Sequence, residues 1–301
     1  MTHIAYLGTG LLGSGFVYAA AKRGDHVTVW NRTAEKAHAL EPLGVRVAAT
    51  PADAVRGASR VHLVLKDDAV VDAVVAALRP GLGSDAIVID HTTTQPALTA
   101  ERARRLNSEG VRYLHCPVFI GPAAARESQG TILASGPQQL FDAVKHELAH
   151  MASRVEYFGE RPDLAAVYKL CGNAFIIGIG ALVSDVFTVA GGAHVAPTDA
   201  LRILDFFNPS AVIAGRGRNI AVGDFSPAFE LEMARKDVRL MLETAGTRPL
   251  AALPGIASRM DDLIGQGYGA ADLAVIGKDA LSDQAGDHRA RPVNERSNAA
   301  T

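Results

Sequence analysis

The feature that most limits what this chain can fold into is a glycine cluster near its start. Residues 4–7 form a short apolar run, Gly8-Thr9-Gly10-Leu11-Leu12-Gly13 follows it, and a helical pattern begins at once. A second apolar run lies about 20 residues on, as a dinucleotide-binding turn requires. Each glycine has its own mechanical role. Gly8 permits the tight turn, Gly10 lets backbone approach a pyrophosphate, and Gly13 lets the helix pack on the strand. The N-terminus of the helix, with Leu11 and Leu12, then presents N–H donors and a positive dipole end to phosphates.

The rest of the first half repeats the alternation. Apolar runs at residues 27–30, 45–48, 61–65, 87–90 and 112–116 are separated by turn signals such as Gly24-Asp25, Gly44, Gly57 and Pro80-Gly81. This predicts a doubly wound α/β domain of Rossmann type with a parallel sheet, which runs at 131–134 and 155–158 could complete. After Pro162 the pattern changes. Residues 164–190 read as one long helix, apolar all round, which implies burial on more than one face. Helical patterns follow at 197–207, 227–244 and 250–265, with no convincing strand. The expected organisation is a dinucleotide-binding domain at 1–161, an all-helical substrate and dimerisation domain at 162–281 entered through the long helix, and a disordered polar tail at 282–301.

Composition narrows the class. With 301 residues the chain can build two cores, and a net charge of -2 with no basic surplus argues against a nucleic-acid partner. The longest apolar stretch, 174–190, is interrupted by Ser184 and Asp185, so a buried helix is expected and no membrane partner. Two cysteines, Cys116 and Cys171, fit a reducing compartment. No charged and apolar leader precedes the first strand, and a cytoplasmic protein is the expectation.

The end of the second strand speaks to the cofactor. An acidic residue there would accept hydrogen bonds from the ribose hydroxyls of NAD. This chain has Asn31-Arg32-Thr33 instead. Asn31 removes a carboxylate that would repel a 2′-phosphate, Arg32 offers a guanidinium fork and Thr33 a hydroxyl, so NADP(H) is expected. Leu65, closing the fourth run, joins the cofactor-binding set. Further along, Lys169 and Asn173 are i,i+4 neighbours on the long helix and can converge on one bound molecule.

On these residues the chain resembles the β-hydroxyacid dehydrogenase family, which includes 3-hydroxyisobutyrate and 6-phosphogluconate dehydrogenases. Four motifs in order carry the resemblance from about Ile4 to Gly277: the glycine loop, Asp90-His91-Thr92-Thr93, Lys169 to Asn173, and Lys236-Asp237. It implies Thr93 against the nicotinamide half of the cofactor, Lys169 as the acid/base, Asn173 as a substrate-orienting amide and Lys236 approaching the cofactor. It also implies a homodimer or higher homo-oligomer acting on a small-molecule substrate.

One segment departs from the family pattern. Where members commonly carry D-x-P-V-S-G-G, this chain has His115-Cys116-Pro117-Val118-Phe119-Ile120-Gly121. Phe119 removes a hydroxyl donor and Ile120 adds bulk where backbone should approach a carboxylate, so a larger, less polar substrate is expected of a pocket formed by Phe119, Ile120 and Gly121. The leading expectation is an NADPH-dependent carbonyl reductase or hydroxyacid dehydrogenase. An imine (C=N) reductase and a non-catalytic NADP-binding assembly protein are the alternatives. His91 and His115 could assist proton transfer. His146 and His150 are paired at i,i+4 but lack a third ligand, so no metal is expected. Arg216 and Arg218 read as solvated loop residues, with contact to an anionic substrate as the alternative.

Overall fold

The computed structural model describes residues 3–281, so the tail expected from residue 282 onward lies outside the described residues. The chain forms two compact units that divide between Phe175 and Ile176. That division falls inside the long helix; the sequence boundary at 161/162 lies just before the helix begins.

In the first unit, β1 (His3–Leu7), α1 (Leu11–Lys22), β2 (His26–Trp30), α2 (Ala34–His38), β3 (Arg46–Val47), α3 (Pro51–Val55), β4 (Arg60–Leu63), α4 (Asp68–Leu78), β5 (Ile87–Asp90), α5 (Pro96–Ser108) and β6 (Arg112–His115) follow in turn. The six strands form one sheet in the order β3-β2-β1-β4-β5-β6, parallel throughout. Helices on both faces explain why the strands are nearly all apolar rather than alternating. Alternate residues serve opposite cores. Ile4, Tyr6, Val27 and Val29 pack with Phe16, Val17 and Ala20 of α1. Ala5, Leu7, Val61 and Leu63 pack with Val71, Val75 and Leu78 of α4. The crevice of such a sheet lies where strand order reverses, between β1 and β4.

The runs at 131–134 and 155–158 do not complete this sheet. They form β8 (Thr131–Ala134) and β9 (Arg154–Tyr157) of a separate three-stranded sheet with β7 (Val118–Phe119), in the order β7-β8-β9. Pro117 explains the break: it follows β6, has no N–H for a ladder, and turns the chain away. An isolated bridge still pairs His115, the last residue of β6, with Ser135, just past β8. Within this part lie α6 (Pro122–Arg126) and α7 (Gln138–Ala149).

The long helix α8 spans Leu164–Gly192, and its later residues begin the second unit with α9 (Pro197–Ala200), α10 (Pro209–Val222), α11 (Leu231–Ala245) and α12 (Leu253–Gly265). The core of this unit joins Leu231, Ala234 and Val238 of α11 to Ala257, Met260 and Leu263 of α12. Asp185, which merely interrupts the apolar stretch in the sequence, is buried and accepts from the backbone N–H groups of Ala251, Ala252 and Leu253 at 2.6, 2.9 and 2.8 Å. Burial alone would raise its pKa, but these donors outweigh that and hold it below the usual carboxylate range.

Two expectations need correction here. Residues 209–222 are a helix, not a loop: Asn208 caps it, Pro209 opens it, and Arg216 pairs with the buried Asp272 at 2.8 Å. That ion pair gives Arg216 a structural partner. The long helix is not buried on more than one face within a single chain. Phe175, Ile176 and Ile177 remain 57, 61 and 71% exposed. It is the one helix among the described residues long and apolar enough to cross a membrane.

Candidate active site

Gly8 and Gly13 of the first turn are each required for a different spatial reason, whereas Gly10 leaves the backbone open. Gly8 has a φ of +101°, and a Cβ there would fall 2.1 Å from the Val64 carbonyl oxygen. A Cβ on Gly13 would fall 2.0 Å from the Gly8 carbonyl oxygen. At Gly10 nothing lies within 4 Å, leaving open approach to the backbone. Helix α1 starts immediately afterwards with no acidic residue in its first turn, and its first N–H groups have no intrahelical acceptor. This arrangement fits a pyrophosphate.

Asn31 ties this loop to the end of β2. Its Oδ1 accepts from the Thr9 N–H at 3.0 Å and its Nδ2 donates to the Thr33 carbonyl at 2.9 Å. An aspartate could make the first bond but not the second. Beside it lies a cleft of 720 Å³ lined by Gly8, Gly10, Asn31, Arg32, Thr33, Lys36 and Lys66 among others, with no carboxylate in its wall. Arg32 and Lys36 make no ion pair among the described residues, and both are exposed. Lys36 lies in α2, four residues past Arg32, and its closeness in the sequence could have revealed it.

A smaller recess of 260 Å³ continues the cleft, lined by Gly10, Leu11, Leu12, Gly13, Leu65, His91 and Thr93. Its floor is held from below. Asp90 is fully buried, accepting from the Tyr113 hydroxyl at 2.6 Å and from the Thr92 N–H at 2.9 Å. The Thr92 hydroxyl oxygen in turn accepts from the Leu65 N–H at 3.1 Å. Thr92 is thus the structural threonine of the pair, and the adjacent Thr93 is left exposed to the recess.

Beneath the same recess runs a buried histidine chain. His91 Nδ1–H donates to the Cys116 carbonyl at 2.7 Å, which leaves Nε2 to accept from His62 Nδ1–H at 2.9 Å. The two rings lie nearly parallel with centroids 5.2 Å apart, and Tyr6 stacks on His62 at 4.7 Å. Burial, with the neighbouring imidazole, drives His62 well below its usual range, and burial drives His91 down to about 4. His115 is also buried and held neutral by burial. These histidines serve as neutral structural groups near pH 7.

Such histidines make stability depend on pH in one direction. The folded pKa of His91 lies below its unfolded value of 6.5, so the full contribution is present above 6.5 and is lost as pH falls toward 4. Stability is expected to fall by about 2 kcal/mol between pH 7 and pH 5 from His91 alone. Urea midpoints at the two pH values test this; equal midpoints would refute it.

The start of α8 carries Lys169 and Asn173. Ser135, at the end of β8, accepts from the Ala165 N–H at 3.0 Å and donates to the Pro162 carbonyl at 3.0 Å, fixing the helix entry. One turn on, Lys169 is half-buried and donates to Asn173 Oδ1 at 2.9 Å. Desolvation lowers its pKa. Phe119 lies against both Lys169 and Gly172. Ile120 packs toward the core and against Gly130, whereas Gly121 caps α6 and is exposed. Lys236 sits on α11 in the second unit, half-exposed and paired with Asp237 at 2.9 Å. Ser135, Gly172 and the His62–His91 pair have no sequence signal as motifs; each depends on contacts between distant segments.

Strand order, glycine loop and cleft define a dinucleotide-binding domain. Residues 3–159 match the family described as the NAD binding domain of 6-phosphogluconate dehydrogenase. The chain belongs to that family of NAD(P)-dependent enzymes. It is 28% identical over 84% of its length to an uncharacterized oxidoreductase of Shewanella frigidimarina, covering 90% of that protein. It is 30% identical, over 79% of its length, to the cytokine-like nuclear factor N-PAC of Xenopus tropicalis, but spans only 45% of that protein. Among solved structures, an imine reductase from Pseudomonas sp. superposes with a TM-score of 0.82 at 22% identity, covering 92% of this chain and 98% of the other. A reductive aminase from Aspergillus terreus in complex with NADPH4, cyclohexanone and allyl amine gives 0.80, also at 22% identity and with coverages of 92% and 98%. These two similarities concern the fold.

Proposed function

We propose that the chain is an NADPH-dependent reductase of carbonyl compounds, with Lys169 as proton donor and Asn173 as the amide that orients it. The observation that carries this reading is the 2.9 Å hydrogen bond from Lys169 Nζ to Asn173 Oδ1 on a half-buried helical face. When bound, the reduced nicotinamide supplies a hydride. Gly8 to Gly13 would hold the pyrophosphate, Arg32, Thr33 and Lys36 the 2′-phosphate, and Leu65 and Thr93 the nicotinamide half. Lys169 then donates a proton to the oxygen that gains negative charge, while Asn173 keeps the ammonium in place. Because an ammonium near neutral pH is the donor form, reduction is the favoured direction for this residue.

The substrate class is tested by following NADPH oxidation over short semialdehydes, keto acids, apolar aldehydes and cyclic imines. Turnover of apolar aldehydes above short keto acids supports the reading. Turnover confined to imines would assign the chemistry to C=N reduction instead, and binding of NADPH without turnover of any of them would favour a non-catalytic role.

The working form in this reading is a homodimer. Ile176, Ile177, Ile179, Leu182 and Val186 of α8 are each more than 40% exposed in the single chain, a larger apolar stripe than a monomer usually leaves in water. A second copy of the same helix would cover it. Light scattering on the eluted protein is expected to give twice the chain mass of 31.6 kDa. A monodisperse 31.6 kDa species at micromolar concentration would rule the dimer out.

A further inference from the structure

Two contacts meet on the ring of Phe119, the last residue of β7, and a hydrogen bond ties one of them to Asn173. Lys169 Nζ lies 4.2 Å from the ring centroid. The same ammonium donates to Asn173 Oδ1 at 2.9 Å. The tip of the ring rests on the backbone of Gly172, where a Cβ would fall 2.1 Å from Phe119 Cζ and 2.8 Å from Cε1. Helix α8 therefore admits the ring only because position 172 carries no side chain.

An ammonium has three N–H bonds. Asn173 takes one. The ring face takes a second direction, attracting the cation while offering nothing to a substrate. One N–H is left. A carboxylate brought to this lysine would gain a single donor, would lie beside the negative face of an aromatic ring, and would lose water to an apolar wall. A carbonyl oxygen needs only that one donor.

The geometry points to Phe119 as a specificity-determining residue: by occupying one side of the Lys169 ammonium, it makes the site accept a neutral carbonyl group there and reject a carboxylate. The inference rests on the reading of Lys169 as the group that meets the substrate oxygen. It goes further by assigning the discrimination to one ring and by stating which ligand charge that ring excludes.

Calorimetric titration of the NADP-loaded protein with butyrate and with butyramide tests it without relying on turnover. Phe119→Ser is expected to bind butyrate about tenfold more tightly than the wild type, with butyramide changed far less. Phe119→Tyr, which keeps the ring, is expected to retain the wild-type ratio. Gly172→Ala dislodges the ring without altering Phe119 and is expected to shift the ratio in the same direction as Phe119→Ser. In Phe119→Ser/Lys169→Ala the gain is expected to vanish. An unchanged ratio in Phe119→Ser and Gly172→Ala would overturn the proposal, as would a gain that survives loss of the lysine. If the gain depends on Lys169 while Lys169→Ala leaves hydride transfer intact, the assignment of Phe119 stands and the proton-donor reading falls.

Discussion

Lys169→Ala is expected to lower kcat for carbonyl reduction by about 10²–10⁴-fold, the usual contribution of a positioned general acid. Binding of NADPH should change little, because the glycine loop and the end of β2 form the cleft in the first unit without this side chain. The pH profile gives a second readout. Desolvation lowers the Lys169 pKa from its usual 10.5, so the basic limb of the reductive profile should lie below that value. The donor form is present below the shifted pKa and is lost as pH rises through it. Lys169→Arg keeps a cation that does not deprotonate in this range, so any residual activity should lose that limb. Wild-type-like kcat in Lys169→Ala, measured on the best carbonyl substrate, would remove the lysine from the chemistry.

The legible and illegible parts of this molecule separate by the range of the interactions involved. The strand, Gly8-to-Gly13 turn and helix could be read because their requirements are local: a positive φ, a close carbonyl and an open backbone act within a few residues or on the next strand. The same holds for Lys169 and Asn173, whose bond spans one helical turn. The second sheet was harder. An apolar run such as 131–134 has the same pattern in either sheet, and only the turn at Pro117 directs it to β7 and β9. Helix α10 was obscured by Gly215 and Gly217, which weaken helix propensity, although its Asn208 cap and Pro209 start were available. The exposed face of α8 reflects a different difficulty. Apolar periodicity states that a face needs cover, but not whether that cover comes from the same chain. The aromatic contact on Lys169 was least legible, since it joins β7 to α8 across about fifty residues of sequence and depends on a missing side chain at Gly172.

The same distinction sharpens the expected result at the cofactor's adenosine end. Arg32→Ala is expected to weaken NADPH binding about 10–100-fold, the loss of one or two charge-assisted hydrogen bonds, with NADH changed only slightly. Asn31→Asp should act by two routes. It places a carboxylate where a 2′-phosphate would be repelled, and it removes the Nδ2–H that donates to the Thr33 carbonyl at 2.9 Å. It keeps an acceptor for the Thr9 N–H, so the glycine loop should remain tied to β2. In the double variant Asn31→Asp/Arg32→Ala the ratio of NADPH to NADH affinity should fall by about 10³-fold, the new carboxylate also being an acceptor for ribose hydroxyls. Titration of both cofactors by fluorescence checks this directly. Because Lys36 lines the same cleft, Lys36→Ala should lower NADPH affinity by a smaller factor, as a point charge rather than a fork. An unaltered NADPH-to-NADH ratio in the double variant would mean that discrimination at the 2′ position resides elsewhere in the chain.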